Sequence, residues 1–336
     1  AKSGLLSSSE LAQAKLKLIN QTSELRKQTN GWVDSLMQAK ESIAGLAASL
    51  AVVGASVNKA IDFETSLSDI DKVANFTDSD ALAKFGKELQ NLSREIPLTV
   101  TELAAMAAAG GQMGIATQEL QAFVSVAAKM STAFKMTGDE SGAAIGKLMT
   151  VFTMSVPEVE KLGDAINVLG NTTNAKEKDI IEVLTRIGGI GQQFGLSAKE
   201  LSALAASFLS LGKTPETAGT AINALLSKLS TANVQSKDFK ETLGALGISA
   251  NQLADDISTN PTQALDAFLN KLASLPKQIQ GDTIGRLFGA EFADDVAALV
   301  QTLGAYRKNL VGISDENSTA GAMQSEYAKQ IGRAHV

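Results

Sequence analysis

The chain has 336 residues, 44% of them hydrophobic but only 4% aromatic, so it can bury a large core built mainly from small side chains. Because it contains no cysteine, disulfide bonds, a thiol nucleophile and cysteine-bound zinc are excluded. A net charge of −6 and the lack of a concentrated Lys/Arg run argue against sequence-specific nucleic-acid binding.

Residues 1–60 are predicted to form a long, coiled-coil-like helix. Ser7 and Glu10 have the spacing of a capping box at its start. One apolar position then recurs every seven residues, at Leu11, Leu18, Leu25, Trp32, Ala39, Leu46, Val53 and Ala60. A second stripe joins it only from Leu36 onward, so the paired seam of a coiled coil is complete only in the second half.

The segment 42–58 inside this helix is uncharged, apolar and rich in small residues. It is shorter than the ~20 residues needed to cross a bilayer, and its Ser and Gly residues lower its tendency to insert. We interpret it as a buried bundle or coiled-coil helix. The alternative is a segment that contacts a membrane.

From residue 61 to residue 330 the pattern predicts an all-α core of short, capped helices without β-strands. Helix starts are indicated where Ser, Thr or Asn stands three positions before Glu or Gln, or directly before Pro. These starts are Thr99, Thr137, Ser155, Asn174, Ser197, Thr214 and Asn260. Helix ends are predicted at Gly110, Gly111, Gly114, Gly170 and Gly212.

The centre of this core is predicted to be a helical hairpin over residues 97–134. Pro97 stops the preceding helix, and an alanine-rich helix follows that neighbouring helices can approach closely. The second helix carries one apolar stripe, Leu120, Phe123, Ala127, Met130 and Phe134. A glycine followed by an apolar residue closes a helix at Gly114, Gly195 and Gly247, so one turn device is used three times.

Two glycine–lysine runs superficially fit a phosphate-binding loop. Gly212-Lys213-Thr214 ends like one, but Ser207 stands where the first glycine is required and Pro215 follows. In Gly142…Gly146-Lys147 the gap is too short, and Leu148 replaces the hydroxyl residue. We therefore predict no phosphate loop.

The run Gly188-Gly189-Ile190-Gly191 with Gly195 could be aligned with a dinucleotide fingerprint. It follows a helical stripe instead of a strand, however, and no βαβ pattern surrounds it. Close helix packing or a hinge is the favoured interpretation.

The acidic pairs do not make a catalytic or metal site. Asp78 and Asp80 begin like a calcium loop, but Leu82 occupies the next ligand position, so a helix start is favoured. Asp255-Asp256 and Asp294-Asp295 are adjacent, and neighbouring residues in a helix do not face one another. We expect no enzyme and no catalytic, cofactor-binding or metal residues.

A series of short motifs occurs in order along the core. They are the 97–115 run, Gly163-Asp164-Ala165-Ile166-Asn167, Arg186-Ile187-Gly188-Gly189, Phe194-Gly195-Leu196-Ser197, Leu211-Gly212 with 215–220, Leu287-Phe288-Gly289-Ala290-Glu291 and Glu326-Tyr327. Over about residues 60–330 the series resembles the core region of bacteriophage tail tape measure proteins.

The resemblance implies a structural virion protein that sets tail length during assembly, occupies the tail tube lumen and leaves ahead of the DNA at ejection. It implies partners among tail tube subunits, tail assembly chaperones and baseplate or tail-tip proteins, together with self-association through helices. It implies location in the virion tail, and in the host cytoplasm during assembly. The alternatives are a membrane-active or pore-forming helical protein at the host envelope and a generic α-helical scaffold.

Features at both ends of the sequence indicate that it is translated from a fragment of a gene. The chain begins with Ala instead of Met, and residues 331–336 resemble an in-frame translation of a sequencing adapter. We expect this tail, with the only histidine, His335, to be non-native.

Overall fold

The computed structural model describes residues 62–96 and 98–334, and in that part every regular element is helical. Helix α1 covers residues 62–73. The helices that follow are α2 (Ser79–Glu95), α3 (Val100–Gln112), α4 (Thr117–Phe134), α5 (Gly138–Phe152), α6 (Val156–Thr172), α7 (Glu177–Phe194), α8 (Ala198–Ser210), α9 (Pro215–Ser230), α10 (Lys237–Ala245), α11 (Ala250–Thr259), α12 (Pro261–Ala273), α13 (Lys277–Phe288), α14 (Ala290–Gln301), α15 (Leu303–Ser314), α16 (Glu316–Thr319) and α17 (Ala322–Ala334).

The predicted all-α core is confirmed for these residues. The coiled-coil-like helix over 1–60, its apolar segment 42–58 and the helix stop at Pro97 lie outside the part that the structure describes.

Helix α8 lies at the centre of the core. Every residue from Leu201 to Leu209 is buried, because the helix is apolar or small on all faces. Its main neighbours are α6, α7 and α15, and it also contacts α9 and α14. The hydroxyls of Ser202 and Ser207 donate to carbonyls one turn earlier, at 2.8 and 2.7 Å, so these two buried hydroxyls are satisfied within the helix.

The predicted helix starts are confirmed at six of the positions named above, as the capping hydrogen bonds show. At Thr99 the hydroxyl accepts from the N–H of Glu102 at 3.2 Å, while the Glu102 carboxylate accepts from the Thr99 N–H at 2.7 Å. The same reciprocal pair joins Ser197 and Glu200. The other four starts are Thr137, Ser155, Thr214 and Asn260.

The glycine turn device is also confirmed. Gly114, Gly195 and Gly247 have φ of +79°, +96° and +74°, a left-handed conformation that favours glycine. In each case the next residue donates its N–H to a carbonyl five positions back, for example Leu196 to Gly191 at 3.0 Å. Leu196 itself is buried, so the apolar residue fills the corner of the turn.

Four of the residues predicted to bound helices do not do so. Gly110 and Gly111 lie inside α3 and are buried; only Gly114 ends that helix. Gly170 likewise lies inside α6, which continues to Thr172. At Asn174 no cap forms, since α7 begins at Glu177 with Lys176 in the N-cap position.

Candidate functional surface

An open groove of about 1090 Å³ lies between α1, α3 and α5. Its floor is made of small side chains because α3 presents four alanines and α5 contributes Ala143 and Gly146. Small residues allow neighbouring backbones to approach closely, and α3 and α5 pack directly against each other here.

Charged groups occur only along the edges of this groove. Asp69 and Lys72 form an exposed ion pair of 2.7 Å on α1, and Asp139 and Lys147 stand on α5. Since the cations and carboxylates alternate, the groove carries no concentrated charge of either sign.

Two hydroxyl groups of the groove are engaged by their own helices. Ser66 donates to the carbonyl of Asp62 at 2.8 Å, and Thr150 donates to the carbonyl of Gly146 at 2.8 Å. Within the described residues, no group of three His, Asp or Glu side chains has the geometry of a metal site.

The residues of the first phosphate-loop-like run have structural roles. Gly212 has φ of +81° and ends α8, and Thr214 caps α9 by accepting from the N–H of Thr217 at 3.3 Å. Lys213 lies between them and pairs with Asp295 of α14 at 2.6 Å. The Asp295 side chain is only 11% exposed, so this ion pair joins two parts of the core.

The remaining glycine runs lie inside helices and serve helix packing. A Cβ atom at Gly146 would collide with Met113, one at Gly188 with Val151, and one at Gly191 with Leu201. Gly189 is different, because a Cβ there would meet nothing within 4 Å. The expectation of close packing is confirmed for Gly188 and Gly191 and is wrong for Gly189.

The acidic candidates are separate from one another. Asp78 caps α2 by accepting from the N–H of Ala81 at 2.8 Å, as the helix-start interpretation predicts. Asp256 accepts from the amide of Gln252 at 2.7 Å on the surface of α11. Of the pair in α14, Asp294 is exposed and Asp295 is buried.

Sequence reasoning missed the role of Asp164. This residue belongs to one of the motifs noted above, and its buried carboxylate accepts from the backbone N–H groups of Gly321 and Met323 at 2.8 and 2.9 Å. The motif signalled the segment, but the partner lies more than 150 residues away along the chain.

Two other side chains, Glu177 and Tyr306, have shifted pKa values. Burial raises the pKa of Glu177, the nearby Lys135 lowers it, and Glu326 adds a further increase. The hydroxyl of Tyr306 is buried without a hydrogen-bond partner, and burial strongly raises its pKa.

Among the described residues, no helix combines the length and the apolar character needed to cross a membrane. The segment 42–58, for which membrane contact was the alternative, lies outside them.

Comparison with known proteins decides the family. Residues 86–289, which run from α2 to the end of α13, match the family described as phage-related minor tail protein. The chain belongs to this family. The resemblance carried by the ordered motifs is therefore confirmed.

Two relatives of the family are similar over most of this chain. The probable tape measure protein of Halomonas phage phiHAP-1 is 27% identical over 282 residues, which is 80% of this chain and 33% of the relative. The probable tape measure protein of Escherichia phage P2 is 25% identical over 304 residues, 88% of this chain and 36% of the relative. The chain thus spans about a third of the length of these relatives. No solved structure matches it significantly.

Proposed function

We propose that this chain is a segment of a tail tape measure protein, which sets tail length during assembly, occupies the tail tube lumen and is released ahead of the DNA. The observation that carries the proposal is the family match over residues 86–289, together with the names of the two relatives. The match coincides with the helical core from α2 to α13.

The packing chemistry of the core supports a structural role. Alanine and glycine at helix contacts, as in the floor of the groove, favour tight helix association, whereas ligand pockets are typically lined by larger hydrophobic and aromatic side chains with a few placed polar groups. The polar residues described above cap helices or join them through ion pairs. We therefore assign the chain a structural and not an enzymatic task.

The proposed partners are other tail components, namely tube subunits, assembly chaperones and baseplate or tail-tip proteins, with self-association through helices. Assembly would take place in the host cytoplasm. We also propose that the chain divides near residue 61, with residues 1–60 contributing to the extended ruler and the described core forming a separate helical unit.

A gene-replacement experiment tests the tail role. Phage in which the intact gene is deleted should produce heads without tails of normal length, and supplying the gene in trans should restore uniform tails. Gly110→Val, which overfills the contact between α3 and α4, should abolish this rescue, whereas Gly189→Ala on the surface of α7 should preserve it. Normal tails in the deletion strain would refute the proposal.

A further inference from the structure

The C-terminal helix α17 is held to a distant part of the chain by a buried carboxylate. Asp164 on α6 is 6% exposed, and its two oxygens accept from the N–H groups of Gly321 (2.8 Å) and Met323 (2.9 Å). These N–H groups belong to the start of α17, where a helix leaves its amides without intrahelical partners. Asp164 therefore caps α17 from another helix, and its negative charge is attracted to the positive end of the α17 helix dipole.

The fit of α17 against α6 depends on a missing side chain. A Cβ atom at residue 163 would lie only 2.6 Å from the Cε of Met323, so Gly163 is what permits this close approach. Met323 is fully buried and Tyr327, one turn later, is 5% exposed. These two side chains form the apolar anchor of α17.

Most of the other side chains between Met323 and Lys329 face solvent. Gln324, Ser325, Ala328 and Lys329 are exposed, and Glu326 raises the pKa of the half-buried Glu177, whose main perturbation is burial itself. A like charge therefore opposes the docking of α17 at this point. By contrast, α4 and α6 beneath it bury whole stripes of side chains against the rest of the core.

We propose that α17 is a strap, meaning a helix that detaches and reattaches as a unit while the core beneath it stays folded. The hydrogen bonds that Asp164 accepts hold it in the attached state. Segments with few buried apolar contacts open at a lower free energy than the core of the same protein. Opening would uncover Gly163 and the neighbouring Met130, whose Cε lies near the same position. The inference does not depend on the role proposed in the tail.

Hydrogen exchange measured by mass spectrometry on the complete 336-residue chain tests the strap. In the wild type, amides of 322–334 should exchange faster than those of α8. Asp164→Asn puts an NH₂ donor where an acceptor is needed, so it should accelerate exchange of the α17 amides by about tenfold or more. Exchange in α8 should not change.

A matched control is Glu316→Gln. Glu316 pairs with Lys161 at 3.4 Å and Lys199 at 3.7 Å near the same junction, but the Glu316 side chain is itself 64% exposed. This variant should change exchange in α17 by less than about twofold, since exposed ion pairs contribute little.

Simultaneous acceleration of α17 and α8 in Asp164→Asn would overturn the proposal, because α17 would then belong to the core's cooperative unit. Unchanged exchange in α17 would overturn it as well. If Asp164→Asn does not fold, Met323→Ala removes the apolar anchor instead and should give the same selective acceleration. Failure of both variants to fold would show that α17 is an integral part of the core.

Discussion

At the scale of single residues, glycine decides how closely the helices of this protein approach one another. A Cβ atom at Gly110 would lie 2.7 Å from Leu120 Cδ1 and 2.9 Å from Phe123 Cδ1, and both neighbours are fully buried. At Gly189 the same atom would meet nothing within 4 Å. The two positions look alike in sequence but have opposite surroundings.

We predict opposite effects for alanine at these two glycines. Gly110→Ala should lower the free energy of unfolding by about 1–3 kcal/mol, since neither buried neighbour can move aside cheaply. Gly189→Ala should raise it by about 0.5–1 kcal/mol because alanine favours the helix. Urea unfolding followed by circular dichroism at 222 nm measures both. Stabilisation by both variants would contradict the packing role of Gly110.

The ion pair of Lys213 and Asp295 makes a second residue-scale prediction. Lys213→Ala should lower the free energy of unfolding by about 1–3 kcal/mol, because it leaves the Asp295 carboxylate, which is 11% exposed, without its cation. The control is Lys237→Ala. Lys237 forms its ion pair with Glu241 on the surface, so this variant should lower the free energy of unfolding by less than about 1 kcal/mol. Thermal melts decide between them; equal melting temperatures for the two variants would show that the buried pair adds nothing.

Periodicity in the sequence placed the core residues correctly but could not tell packing glycines from exposed ones. A stripe such as Leu120, Phe123 and Met130 identifies the buried face of its own helix. Which glycine touches another helix depends on the neighbour, and that neighbour is chosen by the fold as a whole. Gly110 and Gly111 were for this reason read as helix ends.

At the scale of the helices, local capping chemistry sets most of the starts. Ser197 and Glu200 show this for α8, with N–H to carboxylate and N–H to hydroxyl distances of 2.8 and 3.3 Å. Such pairs depend on residues only three positions apart, so the sequence alone was sufficient to find them. The start of α7 was misplaced at Asn174 because that helix begins at Glu177 without a side-chain cap.

Alanine substitutions at Ser197 and Asn174 should show the difference between a residue that caps a helix and one that does not. Ser197→Ala should lower the free energy of unfolding by about 1 kcal/mol, since it leaves an amide of the central helix without its acceptor. Asn174→Ala should change it by much less, because Asn174 is exposed and lies outside α7. Denaturant unfolding curves of both variants provide the check. A larger loss for Asn174→Ala would reverse our assignment of the caps.

At the scale of the whole molecule, the arrangement of the helices went beyond what sequence patterns could predict. The contact of Asp164 with Gly321 and Met323 joins residues that are far apart, and no local motif encodes it. The same is true of the alanine-lined groove, which needs α1, α3 and α5 to converge. Family membership, by contrast, could be inferred from the sequence, because the ordered motifs can be recognised without knowledge of the contacts.

The central claim is that the chain is part of a ruler, and tail length tests it most directly. Residues 11–24 span two heptads, so duplicating them keeps the seven-residue repeat in register. One to four extra copies in the intact gene should each lengthen the tail by ~21 Å, from a rise of ~1.5 Å per helical residue. Electron micrographs of many tails should then give a straight line of tail length against added residues, while deletion of residues 11–24 should shorten the tail by the same step. Normally assembled tails of constant length across the whole series would contradict the account.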